Sequence, residues 1–434
     1  GGDLKQHTTH ADFDVRYANL SEGNIVYQRG ADLWHLDLIS SQDKKLDIRL
    51  ATDLDQLREK WDDNPAKYIT SVHADPDGER IVITARGRIF IAPVKSGRFI
   101  SFTDKKDVRY RDAVFSNDGK NIYTLSDETG EFEFVRMPAD GVGNSKTLSN
   151  DGKILRYKGE PSPDGKWIAY DDLGNNMYVL NISTGVSKKI SSNQQGIRDF
   201  SWSPDSRWLA FVQEAKNTMT QIIVYNVGDG SSFELTTDRA NSFNPRWSPD
   251  GKFIYFLSDR SFTSLVGNPW GSRQPEPYFD ASEKLYHVAL KRSGRSPFRE
   301  PDEFFKDKDD EESDNKVVVS IDKTDIEKRI AEVPIPAGNY SSLEVNKDAL
   351  YLISKETGLK ADSHLSFVKI NNEDVELGTL VADADRFELA ANGEKILIRK
   401  GKKYYMVEAG TDEITDLSDH EIDLSNWKFP LNPR

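Results

Sequence analysis

The chain has 434 residues, 37% hydrophobic and 30% charged, with 58 Lys and Arg against 72 Asp and Glu for a net charge of −14. Such an acidic balance disfavours nucleic acid as a partner, because phosphate binding needs a concentrated basic surface. Cysteine is absent, which excludes disulfides and thiolate chemistry, and no apolar run approaches the roughly 18–20 residues that span a bilayer, so no membrane insertion is expected.

Short apolar strands begin early. Asn24-Ile25-Val26-Tyr27 and Leu33-Trp34-His35-Leu36 form one unit around a reduced turn at Ser21-Glu22-Gly23. Five stronger turns follow: Asp75-Pro76-Asp77-Gly78, Ser116-Asn117-Asp118-Gly119, Ser162-Pro163-Asp164-Gly165, Ser203-Pro204-Asp205-Ser206 and Ser248-Pro249-Asp250-Gly251. Proline presets φ for a tight turn, Asp bonds its own backbone, and Gly takes positive φ freely. Before the turns stand Phe115, Trp202 and Trp247. After them come Ile81-Val82-Ile83, Ile122-Tyr123, Trp167-Ile168-Ala169-Tyr170, Trp208-Leu209-Ala210-Phe211 and Phe253-Ile254-Tyr255-Phe256. Aromatic and β-branched residues suit a pleated, half-buried surface.

A third strand follows in each unit, such as Ile222-Ile223-Val224-Tyr225, and then a polar turn and a weaker fourth strand. From Gly78 the turn returns after 41, 46, 41 and 45 residues. That period with four strands per repeat predicts propeller blades, the innermost strand preceding the turn. Weaker copies at Leu350-Tyr351-Leu352-Ile353 and Ile396-Leu397-Ile398 bring the count to eight, at about 11–50, 66–103, 107–148, 152–191, 195–236, 241–290, 338–380 and 381–417. Ser149-Asn150-Asp151-Gly152 mimics the motif between blades and reads as a connection.

Two insertions break the spacing. Residues 261–283 are aromatic, which predicts a loop packed on one face of the ring. Residues 291–337 contain the acidic run from Asp307 to Asp314, which reads as a mobile segment. The run lacks the alternating aspartates and the glycine of a calcium loop, so no metal is expected there.

Searches for chemistry return little. There is no Gly-x-Ser-x-Gly elbow, no His-Glu-x-x-His and no glycine-rich phosphate loop. The seven histidines are scattered; His7 and His10 read as a frayed terminal pair, His35 and His287 as structural. No catalytic residue, metal or cofactor is expected. One polar pattern remains. Arg111 and Arg198 each precede an Asp at the start of an innermost strand, and Arg156 and Arg386 fall close to the same place. One reading is inter-blade salt bridges with turn-bonding aspartates. The other is a cationic collar at the channel mouth, formed by Arg111, Arg156, Arg198 and Arg386, that bonds carbonyls or a terminal carboxylate of a peptide.

The stretch Arg246-Trp247-Ser248-Pro249-Asp250-Gly251-Lys252 resembles TolB-like propeller repeats. Asp12-Phe13-Asp14-Val15-Arg16, Gly30-Ala31-Asp32-Leu33-Trp34, Leu257-Ser258-Asp259-Arg260 and Pro334-Ile335-Pro336-Ala337-Gly338-Asn339-Tyr340 resemble the propeller region of the tricorn protease family. Proteins of that family carry two consecutive propellers, then a helical segment, a PDZ domain and a serine-protease core. The resemblance therefore implies an all-β chain: residues 1–51 as the last blade-like unit of a preceding propeller, 52–418 as a seven-bladed β-propeller of four-stranded antiparallel blades, and 419–434 as a tail leading to a domain beyond the chain. An eight-bladed ring is the alternative. It further implies a non-catalytic region of a serine protease that filters or channels peptides or unfolded polypeptide to the protease core. The partners would be the other domains of that protein and, in the full-length protein, further copies of itself. A TolB-like interaction scaffold of the bacterial envelope is the alternative function. The implied location is periplasmic or secreted, with the cytoplasm as alternative.

Overall fold

The computed structural model describes residues 4–49, 58, 60–102, 105, 107–260, 264, 266, 276, 278–300, 316–358 and 361–431. The acidic run and most of the aromatic insertion lie outside them. The chain divides into two compact units, residues 1–62 with 430–434, and residues 63–429.

In the first unit Val15–Ser21, Asn24–Arg29, Asp32–Asp37 and Asp43–Lys45 form one antiparallel sheet in chain order. Tyr27 is buried, and its hydroxyl donates to Asp43 at 2.7 Å. His10, expected to fray, instead contacts that hydroxyl at 2.8 Å and Asp43 at 2.7 Å.

The second unit holds seven successive antiparallel sheets among the described residues. Their innermost strands are Ile69–Ala74, Tyr110–Phe115, Glu160–Pro161, Ile197–Trp202, Ser242–Trp247, Asn339–Val345 and Arg386–Leu389. The first six sheets have four strands and the seventh has three. The outer strand of the fifth sheet, Ile330–Glu332, lies inside the stretch 291–337 that the sequence reads wholly as insertion. Nothing in the local pattern marks a three-residue strand that follows a long excursion.

The core lies between sheets. Trp208, Val212 and Ile222 of the fourth pack with Trp247, Ile254 and Phe256 of the fifth; Tyr255, Leu257 and Leu285 pack with Leu343, Leu350 and Leu352 of the sixth. Middle strands such as Phe253–Ser258 are buried throughout because both faces meet neighbours, so they read as continuous apolar runs. Each such Leu, Ile or Phe contributes about 1.5–3 kcal/mol. The seventh sheet lies against the first: Asn392 N–H donates to the Pro76 carbonyl at 3.0 Å, and Lys395 pairs with Glu79.

The repeated turn works through its serine. Ser162 Oγ donates to Asp164 at 2.7 Å and accepts from Trp167 N–H at 3.0 Å, while Gly165 N–H donates to the Ser162 carbonyl at 2.9 Å. Ser203 and Ser248 repeat these contacts. The fourth residue has φ near +65°, at Gly119, Gly165 and Gly251, and +60° at Ser206. The Ser116 hydroxyl holds the Asp118 carboxyl below its usual value. At Asp164 and Asp250 burial acts the other way, but the serine hydroxyl, the neighbouring lysine and a backbone amide outweigh it. A lowered native pKa means stability that is present at neutral pH and lost as the pH falls through the native value. Ser162→Ala and Ser248→Ala should each cost about 1 kcal/mol at pH 7 and less at pH 3, because the contribution of a carboxyl with a lowered pKa is lost on the acid side. Urea unfolding at the two pH values checks this.

Candidate functional site: the axial channel

A cavity of about 430 Å³ receives residues from the innermost strands of all seven sheets. Its wall repeats one position, two residues before the first residue of the turn: His73, Val114, Glu160, Ser201, Arg246, Glu344 and Glu388. A backbone device aims four of these side chains. In the second, fourth, fifth and sixth sheets the register skips between Arg111 and Val114, Arg198 and Ser201, Phe243 and Arg246, and Ser341 and Glu344. Inside each skip one residue is left-handed: Asp112 (φ 51°), Asp199 (51°), Asn244 (49°) and Ser342 (58°). These bulges bend the strand and re-aim its side chains, and Asp and Asn tolerate the left-handed region best. They also link neighbours, since Asn244 N–H donates to Asp199 Oδ2 at 3.3 Å and Ser342 N–H to Asn244 Oδ1 at 3.1 Å.

The wall carries both signs of charge. Arg246 pairs with Glu344 at 2.9 Å, His73 Nδ1 meets Glu388 at 2.6 Å, and Lys158 lies 3.5 Å from Glu160. Burial opposes charge on Lys158, but Glu160, Glu388 and Glu344 outweigh it and raise its pKa. Lys158 lines the cavity, where water still wets 40% of its side chain. Burial likewise opposes ionisation of Glu388, and His73, Lys158 and the Ala74 amide outweigh it, which keeps its pKa low. A wall of this kind offers donors and acceptors to a polar chain and has no single sign.

The four arginines do not form a collar. Counted back from the turn, Arg111 and Arg198 occupy the fifth residue, Arg386 the fourth and Arg156 the sixth. The sixth position is core: Tyr110, Ile197, Ser242 and Tyr340 stand there in other sheets, all buried. Arg156 is buried with them, 3.1 Å from Glu133 and 2.6 Å from Asp151. Arg111 lies over the Phe132 ring at 5.4 Å, beside Asp112 at 3.5 Å. Arg198 is exposed at a strand start. Arg386 borders a cleft against the first sheet. The charged wall residues Lys158, Glu160, Arg246, Glu344 and Glu388 escaped the sequence reading. For Glu160, Arg246, Glu344 and Glu388 the signal is a fixed distance from the turn, not a residue type; Lys158 stands two residues further upstream.

His287, read from the sequence as structural, is buried among Phe253, Tyr255 and Phe298, and burial lowers its pKa to about 4. Among the described residues no group of three or more His, Asp or Glu is placed to hold a metal ion, and no helix is long and apolar enough to cross a membrane.

The family model of the tricorn protease second beta propeller domain matches residues 69–410. The chain belongs to the tricorn protease family. Relatives of this tricorn propeller include tricorn protease homolog 1 of Streptomyces coelicolor, 26% identical over 470 residues, covering all of this chain and 42% of that protein. The tricorn protease homolog of Saccharolobus solfataricus is 28% identical over 213 residues, covering 49% of this chain and 19% of that one. The tricorn propeller thus spans less than half the length of these relatives. The crystal structure of the tricorn protease superposes on the whole chain and on 41% of its own, with a TM-score of 0.73 at 17% identity, which shows the fold.

Proposed function

We propose that this chain is a non-catalytic region of a tricorn-like serine protease and that its axial channel passes extended peptides towards a protease core elsewhere in the longer protein. The observation that carries the reading is the channel wall, where seven sheets converge on one cavity lined by charges of both signs. An extended peptide loses hydrogen bonds to water on entering a narrow passage, and such a wall replaces them. A folded domain of about 100 residues has a radius of gyration of about 13 Å and cannot enter. The first unit fits the same reading as the last blade of a neighbouring ring, because its sheet leaves Val15, Leu20, Val26 and Leu33 exposed.

Ser201 gives a direct test. It lies on the wall of a chain with no cysteine, so Ser201→Cys provides one thiol here for a bulky disulfide-linked label. In the longer protein the label should slow cleavage of a peptide substrate about tenfold or more, and a reductant should restore it. The same label at Ser183→Cys, on an exposed turn, should have no effect. Cleavage that continues unchanged with the channel labelled would sink the channel reading.

A further inference from the structure

The seventh sheet carries a feature that the channel reading does not use. Arg386 and Arg399 are direct cross-strand partners, and Arg399 is in turn paired with Tyr404. Residues directly opposite in an antiparallel sheet project from the same face, and like charges placed so repel each other. Neither guanidinium has a carboxylate partner among the described residues; Arg399 Nε donates to the Gly401 carbonyl at 3.1 Å.

This face looks across a cleft of about 250 Å³ at residues 69–73 of the first sheet. Ser71 borders the cleft, and its Oγ is buried without a hydrogen-bond partner, a state that costs free energy unless something fills it. The register skip between Ile69 and Ser71 places the residue there. Tyr404 borders the same cleft; burial raises its phenol, and Arg399 and Arg386 offset part of that rise. Glu388 also borders the cleft; its oxygens accept from His73 at 2.6 Å and from Ala74 N–H at 3.3 Å, and among the described residues it forms no ion pair with either arginine. The cleft adjoins the channel, with which it shares His73, Phe387 and Glu388.

We propose that Arg386, Arg399, Tyr404 and Ser71 form a carboxylate clamp between the first and seventh sheets that holds a peptide's carboxylate beside the axial channel. The proposal rests on the peptide-handling reading. Two guanidiniums on one face supply fork geometry for a carboxylate, and the two hydroxyls supply further donors. An occupant of charge −1 also relieves the repulsion between the arginines.

The test uses the 434-residue chain and fluorescence polarisation with an amino-terminally labelled hexapeptide that has a free terminal carboxylate and no acidic side chain. Amidating its carboxyl terminus should weaken binding about tenfold or more, and Arg386→Gln and Arg399→Gln should each do the same to the free peptide. Both arginines are exposed, and circular dichroism should show both variants folded. Arg399→Lys should restore only part of the affinity, since an ammonium lacks the planar fork. An amidated peptide carrying one Glu side chain distinguishes the source: binding as tight as the free peptide makes the clamp a reader of any carboxylate, and weak binding makes it a reader of chain ends. Equal binding of free and amidated peptides, undiminished binding by both Gln variants, or no binding of either peptide overturns the clamp. A clamp that fails while the Ser201→Cys label still blocks cleavage fails alone. Carboxylate-dependent binding with cleavage untouched by the label rejects the channel and keeps the clamp.

Discussion

Arg156→Ala should lower the unfolding free energy by about 3–5 kcal/mol, the range for removing one end of a buried ion pair. Arg156 is 4% exposed and Glu133 3%. The guanidinium donates to Glu133 at 3.1 Å, to Ser149 Oγ at 3.0 Å and to Asp151 at 2.6 Å, and it lies 5.3 Å from the centre of the Tyr170 ring. Ser149 is saturated as well: its hydroxyl donates to Glu133 and accepts from Phe134 N–H at 2.9 Å. These groups join the second sheet to the third through the crossover that the sequence reads as a mimic of the turn. With Arg156 gone, Glu133 stays buried as an anion, supported only by the Ser149 hydroxyl and the Gly152 amide. Arg156→Met combined with Glu133→Gln removes both charges and should cost much less, because the penalty lies in the uncompensated ion and not in losing the pair. Urea unfolding followed by circular dichroism measures both. A single-variant loss below about 1 kcal/mol would put Arg156 in the class of surface pairs.

The same residue shows where the sequence was legible and where it was not. The turns, the middle strands and the order of the sheets could be read because each rests on a local cause: a serine that closes a turn, a glycine at positive φ, or an apolar run covered on both faces. Side-chain direction along the innermost strands has no such marker. Arg156 stands two residues upstream of the position Arg386 holds and one upstream of that of Arg111 and Arg198, and a single-residue shift in a strand moves a side chain to the other face. The bulges at Asp112, Asp199, Asn244 and Ser342 interrupt the alternation that would have exposed the error. The Arg-Asp pairs were a true signal of a different thing, since their aspartates are the left-handed residues of the bulge. The channel wall was hidden for the opposite reason. Its seven positions hold His, Val, Glu, Ser, Arg, Glu and Glu, with no shared chemistry to search for.

Trp247→Ala is expected to cost about 3–5 kcal/mol, as for other buried tryptophans cut to alanine, while Trp247→Phe should cost about 1 kcal/mol, the net value of one hydrogen bond. The ring is 5% exposed in the core between the fourth and fifth sheets. Its Nε1–H donates to the Ser201 carbonyl of the preceding sheet at 3.1 Å, and Trp202 repeats this by donating to the Glu160 carbonyl at 2.9 Å. Both acceptors belong to channel-wall residues. Trp202 and Trp247, which the sequence places just before their turns, therefore tie the third, fourth and fifth innermost strands together at the height of the wall. Packing and channel geometry depend on the same side chain. Trp247→Ala should accordingly speed amide exchange in residues 197–202 as well as lower the urea midpoint, and Trp247→Phe should keep most of the packing while releasing the Ser201 carbonyl. If phenylalanine costs as much as alanine, the hydrogen bond and not the ring holds the two sheets together. The wall would then be set by backbone polarity at this joint, and Trp202→Phe would have to shift the Glu160 strand by a comparable amount.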